Sequence, residues 1–69
     1  MKISARNQLA GTVTAVTKGA TTAHVTIALG GGAVVTAAIT NEAADELGLA
    51  AGKAVVAIVK ASDVMVGVA

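Results

Sequence analysis

The sequence contains no cysteine, proline, phenylalanine, tyrosine or tryptophan. Without cysteine it has neither a disulfide framework nor a Cys-ligated zinc site, and without aromatic rings it has no platform on which nucleic-acid bases could stack. An excess of one charge is also missing, because five Lys and Arg against four Asp and Glu leave a formal net charge of +1. A nearly neutral chain lacks the positive electrostatic potential that attracts a polyanion such as a nucleic acid. We therefore expect no nucleic-acid partner.

Large apolar side chains are scarcer than the hydrophobic content of 55% indicates, because 17 of the 69 residues are alanine. A chain this short buries only about 60% of its unfolded surface, and alanine contributes less on burial than larger side chains do. Small domains without disulfides or metals are often stabilised by association. The composition therefore predicts an obligate homo-oligomer.

A long uncharged stretch raises the question of membrane insertion, since no Lys, Arg, Asp or Glu occurs from Gly19 to Asn41. Five threonines and the glycines Gly30–Gly32 lie within it, which favours two strands and a turn over a spanning helix. The segment Met1–Arg6 has no apolar run of signal-peptide length. We expect a cytoplasmic protein without a membrane partner.

Residues that suit strands dominate, because Val, Ile and Thr make up 23 of the 69 positions. Alternation of apolar and polar side chains, with glycine between the runs, predicts five strands. A tight Gly30–Gly32 turn makes the second and third of them a hairpin, and Val16 breaks the alternation of the first, which indicates a bulge nearby. The predicted strands are Leu9–Thr17, Thr22–Leu29, Ala33–Ile39, Lys53–Lys60 and about Asp63–Val68.

The segment Thr40–Gly48 has a helical pattern: a capping residue, an acid in the first turn and a glycine at the end. One short helix between the third and fourth strands is the element order of a five-stranded OB-like barrel. The fold class is therefore mostly β, with a single domain over residues 1–69. Because the run Ala54–Val59 is apolar on both faces, it requires cover from a partner subunit.

Enzymatic chemistry is not expected. The lone His24 lies on a strand face between Thr22 and Thr26, where a histidine is far more often a solvated or interface residue than a catalyst. No Cys, Asp or Glu lies within 17 residues of it to form a metal site. The four carboxylates are Glu42, Asp45, Glu46 and Asp63, of which three fall on the predicted helix as solubilising charges. We expect no catalytic residue, no cofactor and no site for a bare metal cation.

Hydrogen-bond donors remain at the strand ends, in Ser4–Asn7 and in Lys60–Ser62, and Arg6 is the only arginine. A fully ionised tetrahedral oxyanion requires donors: a guanidinium, an ammonium, hydroxyls and backbone N–H groups. The helix start at Thr40 and Asn41 could add N–H groups. The spacing alone leaves an alternative open: Arg6 and Lys60 could be ordinary solvated charges, and Ser4 and Ser62 could make hydrogen bonds within turns.

Two motifs change this balance. The first motif is Ile3–Leu9, Ile-Ser-Ala-Arg-Asn-Gln-Leu, which is followed by Gly11. The second is Val59–Met65, Val-Lys-Ala-Ser-Asp-Val-Met. They resemble the opening and closing motifs of the molbindin (Mop) family. This family consists of small molybdate-binding proteins with a TOBE or Mop domain. The resemblance covers the whole chain and includes Glu46-Leu47-Gly48 and Gly52.

The resemblance implies a hexamer, a trimer of dimers, that binds molybdate or tungstate between subunits in the cytoplasm and stores molybdenum. Because no DNA-binding or ATPase segment is attached, it implies a free-standing binding protein. The implied oxyanion ligands are Ser4, Arg6, Asn7, Thr40, Lys60 and Ser62. A second class of site near a symmetry axis would involve Lys18, Gly19, Thr21, Thr22 and Ala23. The main alternative is an oligomeric OB-type regulatory or scaffolding module without a small-molecule ligand.

Overall fold

A computed structural model describes every residue from Met1 to Ala69. It contains four strands, one α-helix and one turn of 3₁₀ helix, and the strands form one curled antiparallel sheet in the order β3-β2-β1-β4. The predicted β class and the position of the helix are confirmed. The elements are β1 (Asn7–Lys18), β2 (Thr22–Gly30), β3 (Ala33–Thr40), α1 (Asn41–Glu46), β4 (Ala54–Val59) and the 3₁₀ helix Ala61–Asp63.

The longest strand, β1, joins the two halves of the sheet. Its first half pairs with β4 and its second half with β2. The register shifts between Val13 and Ala15, where Thr14 donates its hydroxyl hydrogen to the Thr26 carbonyl at 3.2 Å. Because a bulge bends the strand and increases its twist, Val16 turns toward the core. The irregularity predicted near Val16 is confirmed.

The small core lies on one face of the sheet. Val13, Val25, Ile27 and Ala57 form its buried cluster, and the inward alternation predicted for β2 is confirmed because Ala23 is buried as well. Close contact between β1 and β2 depends on Gly11, where a Cβ atom would lie 2.7 Å from both the Ala28 carbonyl oxygen and the Ile27 Cγ2. Gly11 therefore lets β1 and β2 approach closely.

Both local predictions around the hairpin and the helix are confirmed. Gly30–Gly32 all have positive φ angles, between 61° and 96°, which glycine adopts at little cost. Helix α1 begins after Thr40, whose hydroxyl oxygen accepts a hydrogen bond from the Ala43 N–H at 3.0 Å. It ends before Gly48, whose φ is +63°. The buried residue of the helix, Ala44, anchors it to the sheet.

The fifth strand, predicted at about Asp63–Val68, does not form in the single chain. Residues 61–63 are a 3₁₀ helix, residues 64–69 have no strand pairing, and every side chain from Lys60 onward is exposed. A strand requires a neighbouring edge with which to exchange hydrogen bonds, and residues 64–69 lie against neither edge of this sheet. The single chain therefore shows four of the five predicted strands, in one curled antiparallel sheet.

Strand β4 keeps the exposed apolar side chains that the sequence indicated. Ala57 is buried, but Val56 and Ile58 on the other face are each 42% exposed. Both side chains line an apolar cavity of about 220 Å³ together with Leu47 and Leu49. The six-residue α1 is the only α-helix, and no helix has the length and apolar character needed to cross a bilayer.

Candidate anion-binding site

The candidate site lies where β1 and β4 separate. The last residue pair of their ladder is Asn7 with Val59. Beyond it the N-terminal segment and the segment after β4 diverge and enclose an open cavity of about 620 Å³. Four of the six predicted ligands line it, together with small and apolar neighbours. The lining consists of Ile3, Ser4, Ala5, Arg6, Ile58, Lys60, Ala61, Ser62 and Asp63.

The N-terminal wall is shaped by its own side chains. The Nε atom of Arg6 donates to the Ser4 carbonyl at 2.9 Å, and its Nη2 atom donates to the Ile3 carbonyl at 3.3 Å. Gln8 donates from Nε2 to the Ala5 carbonyl at 3.0 Å. Since a guanidinium carries five N–H donors, these bonds curl the segment and still leave donors of Arg6 free for a ligand.

The second wall is the 3₁₀ helix with its capping residue, Lys60. The Asp63 N–H donates to the Lys60 carbonyl at 2.9 Å, which holds the turn closed. The only ion pair of the chain joins Lys18 to Asp45, so the ammonium of Lys60 and the guanidinium of Arg6 have no carboxylate partner. This wall therefore presents a free ammonium and the hydroxyl of Ser62 to the cavity.

The electrostatics favour an anion. Two unpaired cations, two serine hydroxyls and one carboxylate line the cavity, so its formal charge is positive. Sequence reasoning missed Asp63 as a lining residue because it considered donors alone, although Asp63 directly follows Ser62 in the closing motif. His24 lies on β2 between Thr17 and Ala38 and does not line this cavity. The arrangement suits binding by hydrogen bonds and charge.

Two predicted ligands do not line the cavity. Asn7 lies at its base, where its Nδ2 atom donates to the Val59 carbonyl at 3.1 Å. Thr40 pairs with Thr22 at the far end of the sheet, the end at which Lys18 closes β1. The cavity lies near the first residue of β1, and Thr40 lies near the last residue of β1. Within a single chain, Thr40 is therefore far from the cavity.

The residues predicted for a second class of site share that far end. Asn41 donates from Nδ2 to the Gly19 carbonyl at 2.9 Å and from its backbone N–H to the Thr21 carbonyl at 2.8 Å. Lys18 is paired with Asp45, and Ala23 is fully buried. These contacts fasten α1 to the sheet, and none of the three cavities in the chain is lined by these residues.

Known proteins are similar to this chain in sequence and in fold. Residues 3–66 match the TOBE domain. The chain is 50% identical over 68 residues to a probable molybdenum-pterin-binding protein of Haemophilus influenzae, with 99% of each chain covered.

Two solved structures are also similar. MopII from Clostridium pasteurianum has a TM-score of 0.90 and 42% identity, and the match covers 97% of this chain and 100% of that one. The cytoplasmic molybdate-binding protein ModG, solved with molybdate bound, has a TM-score of 0.94 and 48% identity over 100% of this chain and 49% of its own. By sequence and by fold, the chain belongs to the TOBE domain family and, within it, to the molbindin (Mop) group.

Proposed function

We propose that this protein is a non-catalytic molybdate-binding protein that also accepts tungstate. The observation that carries the proposal is the convergence of Ser4, Arg6, Lys60 and Ser62 on one cavity from opposite ends of the chain. Relatives whose names specify molybdenum-pterin or molybdate binding support it.

The chemistry of the cavity fits this ligand class. Molybdate is a tetrahedral dianion that carries no proton at neutral pH, so its receptor needs donors and no acceptor. Charge-assisted hydrogen bonds from a guanidinium and an ammonium are about twice as strong as neutral ones, and serine hydroxyls and backbone N–H groups complete the shell. Since Arg6 and Lys60 outnumber Asp63, the net attraction is retained.

The site is proposed to be completed by a second copy of the chain. Arg6, Lys60 and both serines are exposed to solvent in the single chain, where water and salt weaken their attraction for an anion. A neighbouring copy that covers the cavity would exclude water and could bring its own Thr40 hydroxyl. Thr40 is therefore kept as a proposed ligand that acts between chains.

The apolar surface supports assembly into a homo-oligomer, for which the proposed form is a hexamer built as a trimer of dimers. Only six of 69 residues are buried, which is a small core even for a short domain. In the C-terminal segment Met65, Val66 and Val68 are each at least 90% exposed. A fifth strand of the barrel is proposed to form when this segment pairs with another copy.

A second class of anion site at the far end of β1 also stays a proposal. It would use the ammonium of Lys18 with Gly19, Thr21, Thr22 and Ala23, brought near their equivalents by the symmetry of the assembly. Since Lys18 already has a carboxylate partner, this site should be weaker than the cavity site.

The proposed role is storage and buffering of molybdenum in the cytoplasm. The rival is an OB-type regulatory or scaffolding module that binds no small molecule. A free pterin is a second candidate ligand because relatives carry it in their names, but a pterin ring is usually held by aromatic stacking, and the chain has no aromatic residue.

Isothermal titration calorimetry with molybdate, tungstate, sulfate and a free pterin tests these functions together. The expected result is saturable heat with molybdate and tungstate and none with the pterin, while sulfate measures the selectivity. Absence of saturable binding of molybdate and tungstate would overturn the proposal in favour of the scaffolding module.

A further inference from the structure

We propose that Asn7 is a positioning residue for the anion site: its side-chain amide fastens the wall that carries Lys60 and Ser62 to the strand that carries Arg6. The inference rests on the proposed function and deepens it. It assigns Asn7 a different task from the direct contact that the opening motif implied.

The first step is the place of Asn7 in the ladder. Asn7 and Val59 form the last residue pair between β1 and β4. Arg6 directly precedes Asn7 and Lys60 directly follows Val59, and both Arg6 and Lys60 line the cavity. Asn7 therefore lies at the branch point of the two walls, while it lines neither of them.

The second step is the hydrogen bond itself. Asn7 Nδ2 donates to the Val59 carbonyl oxygen at 3.1 Å, and the contact is partly buried. A bond shielded from water is worth more than an exposed one. One donor of the Asn7 amide is thereby used within the protein and is not available to a ligand.

The third step follows from the planarity of the peptide unit. The carbonyl of Val59 and the N–H of Lys60 belong to the same rigid plane and point in opposite directions. By holding the carbonyl, Asn7 fixes the direction of the Lys60 N–H. Lys60 is also the capping residue of the 3₁₀ helix, and its carbonyl accepts from the Asp63 N–H at 2.9 Å. The orientation of the Val59–Lys60 peptide therefore also sets the orientation of the 3₁₀ helix that follows it.

The test uses the full chain with Asn7→Leu, which keeps the approximate shape of asparagine and removes the donor. We expect the Kd for molybdate to rise three- to tenfold, about the effect of one hydrogen bond. The matched control is Thr14→Ala, which removes the bond from the Thr14 hydroxyl to the Thr26 carbonyl on the same strand, away from the cavity. The control should leave the Kd unchanged.

Two readouts separate positioning from a purely structural or a direct role. In ligand-free protein, amide hydrogen exchange at Lys60–Asp63 should accelerate in Asn7→Leu and not in Thr14→Ala. In a double-mutant cycle with Lys60→Ala, the effect of Asn7→Leu on the Kd should shrink because one of the groups that Asn7 positions, the Lys60 ammonium, has been removed. If Asn7→Leu does not assemble, Asn7→Ser is used, since its hydroxyl is too short to reach the Val59 carbonyl, and the same changes are expected.

An unchanged Kd in the Asn7 variant, with the wild type binding molybdate, would overturn the inference and leave the proposed function intact. An equal loss in the wild-type and Lys60→Ala backgrounds would overturn it by showing direct contact with the anion. If the wild type binds no oxyanion, the proposed function fails, and unchanged exchange at Lys60–Asp63 would then reject the positioning role separately.

Discussion

The guanidinium of Arg6 serves both its own segment and the cavity. It donates to the Ser4 and Ile3 carbonyls, and its remaining donors are free for an anion. We expect Arg6→Ala to weaken molybdate binding by about 1.5–3 kcal/mol, the range for a hydrogen bond to a charged group. Arg6→Lys should recover only part of the loss, because an ammonium lacks the planar fork.

Calorimetry on both variants measures the affinity for molybdate. The control is Lys2→Ala, which removes a cation from the same end of the chain without altering the cavity lining. If Arg6→Ala and Lys2→Ala lower the affinity equally, Arg6 contributes only general charge, and the assignment of the cavity is wrong.

Gly11 is the residue at which packing leaves no room. A methyl group there would lie 2.7 Å from the Ala28 carbonyl oxygen and from Ile27 Cγ2, and the former is backbone that cannot turn aside. Gly11→Ala should therefore lower the free energy of unfolding by about 1–3 kcal/mol, as overpacking does.

Urea unfolding at a fixed protein concentration checks the cost. The wild type, unfolded under the same conditions, is the reference. Equal stability of the two proteins would show that β1 and β2 are not in the close contact described above.

At the scale of the element, substitutions of Thr40 distinguish its role as the helix cap from its proposed role as a ligand. Its hydroxyl oxygen caps α1, so Thr40→Ala should cost about 1 kcal/mol of stability, while Thr40→Asp and Thr40→Ser should keep the cap. If Thr40 of a neighbouring copy contacts the anion, Thr40→Asp should bind molybdate more than tenfold more weakly than Thr40→Ser, because a carboxylate repels a dianion.

Urea unfolding and calorimetry on the same three proteins give both numbers. A Thr40→Asp variant that binds molybdate as well as Thr40→Ser does would remove Thr40 from the ligand set while leaving its capping role in place.

Elements whose cause is local could be predicted from the sequence. The Gly30–Gly32 turn and the capped helix after Thr40 depend on conformational preferences of a few adjacent residues, and both form where the pattern indicated. The last strand could not be predicted in this way. Its apolar residues have the composition of a strand, but pairing depends on a neighbouring edge, and residues 64–69 lie against neither free edge of this sheet.

The site was predictable only in part for a related reason. Spacing left Arg6 and Lys60 as two distant cations, and the resemblance to the Mop family grouped them. Their convergence depends on the register that pairs Asn7 with Val59, which is a property of the folded sheet. Neither the lining position of Asp63 nor the placement of Thr40 at the opposite end follows from the motifs alone.

At the scale of the whole molecule, the small core and the exposed tail have one explanation. Six buried residues contribute little hydrophobic stabilisation, and Val56, Ile58 and the tail residues Met65–Val68 leave a large apolar surface in water. Such surfaces mark sites of association. If the anion is held between copies as proposed, it binds the assembly and not the separated chains, so molybdate should also stabilise the assembly by mass action.

Native mass spectrometry during a molybdate titration tests the central claim most directly, since it records the number of copies and the number of bound anions in one spectrum. The predicted result is a hexamer that gains molybdate to a fixed stoichiometry, and a Val66→Asp variant that dissociates and loses the bound anion together with the assembly. A wild-type chain that remains a monomer, or an assembly that takes up no molybdate, would contradict the account.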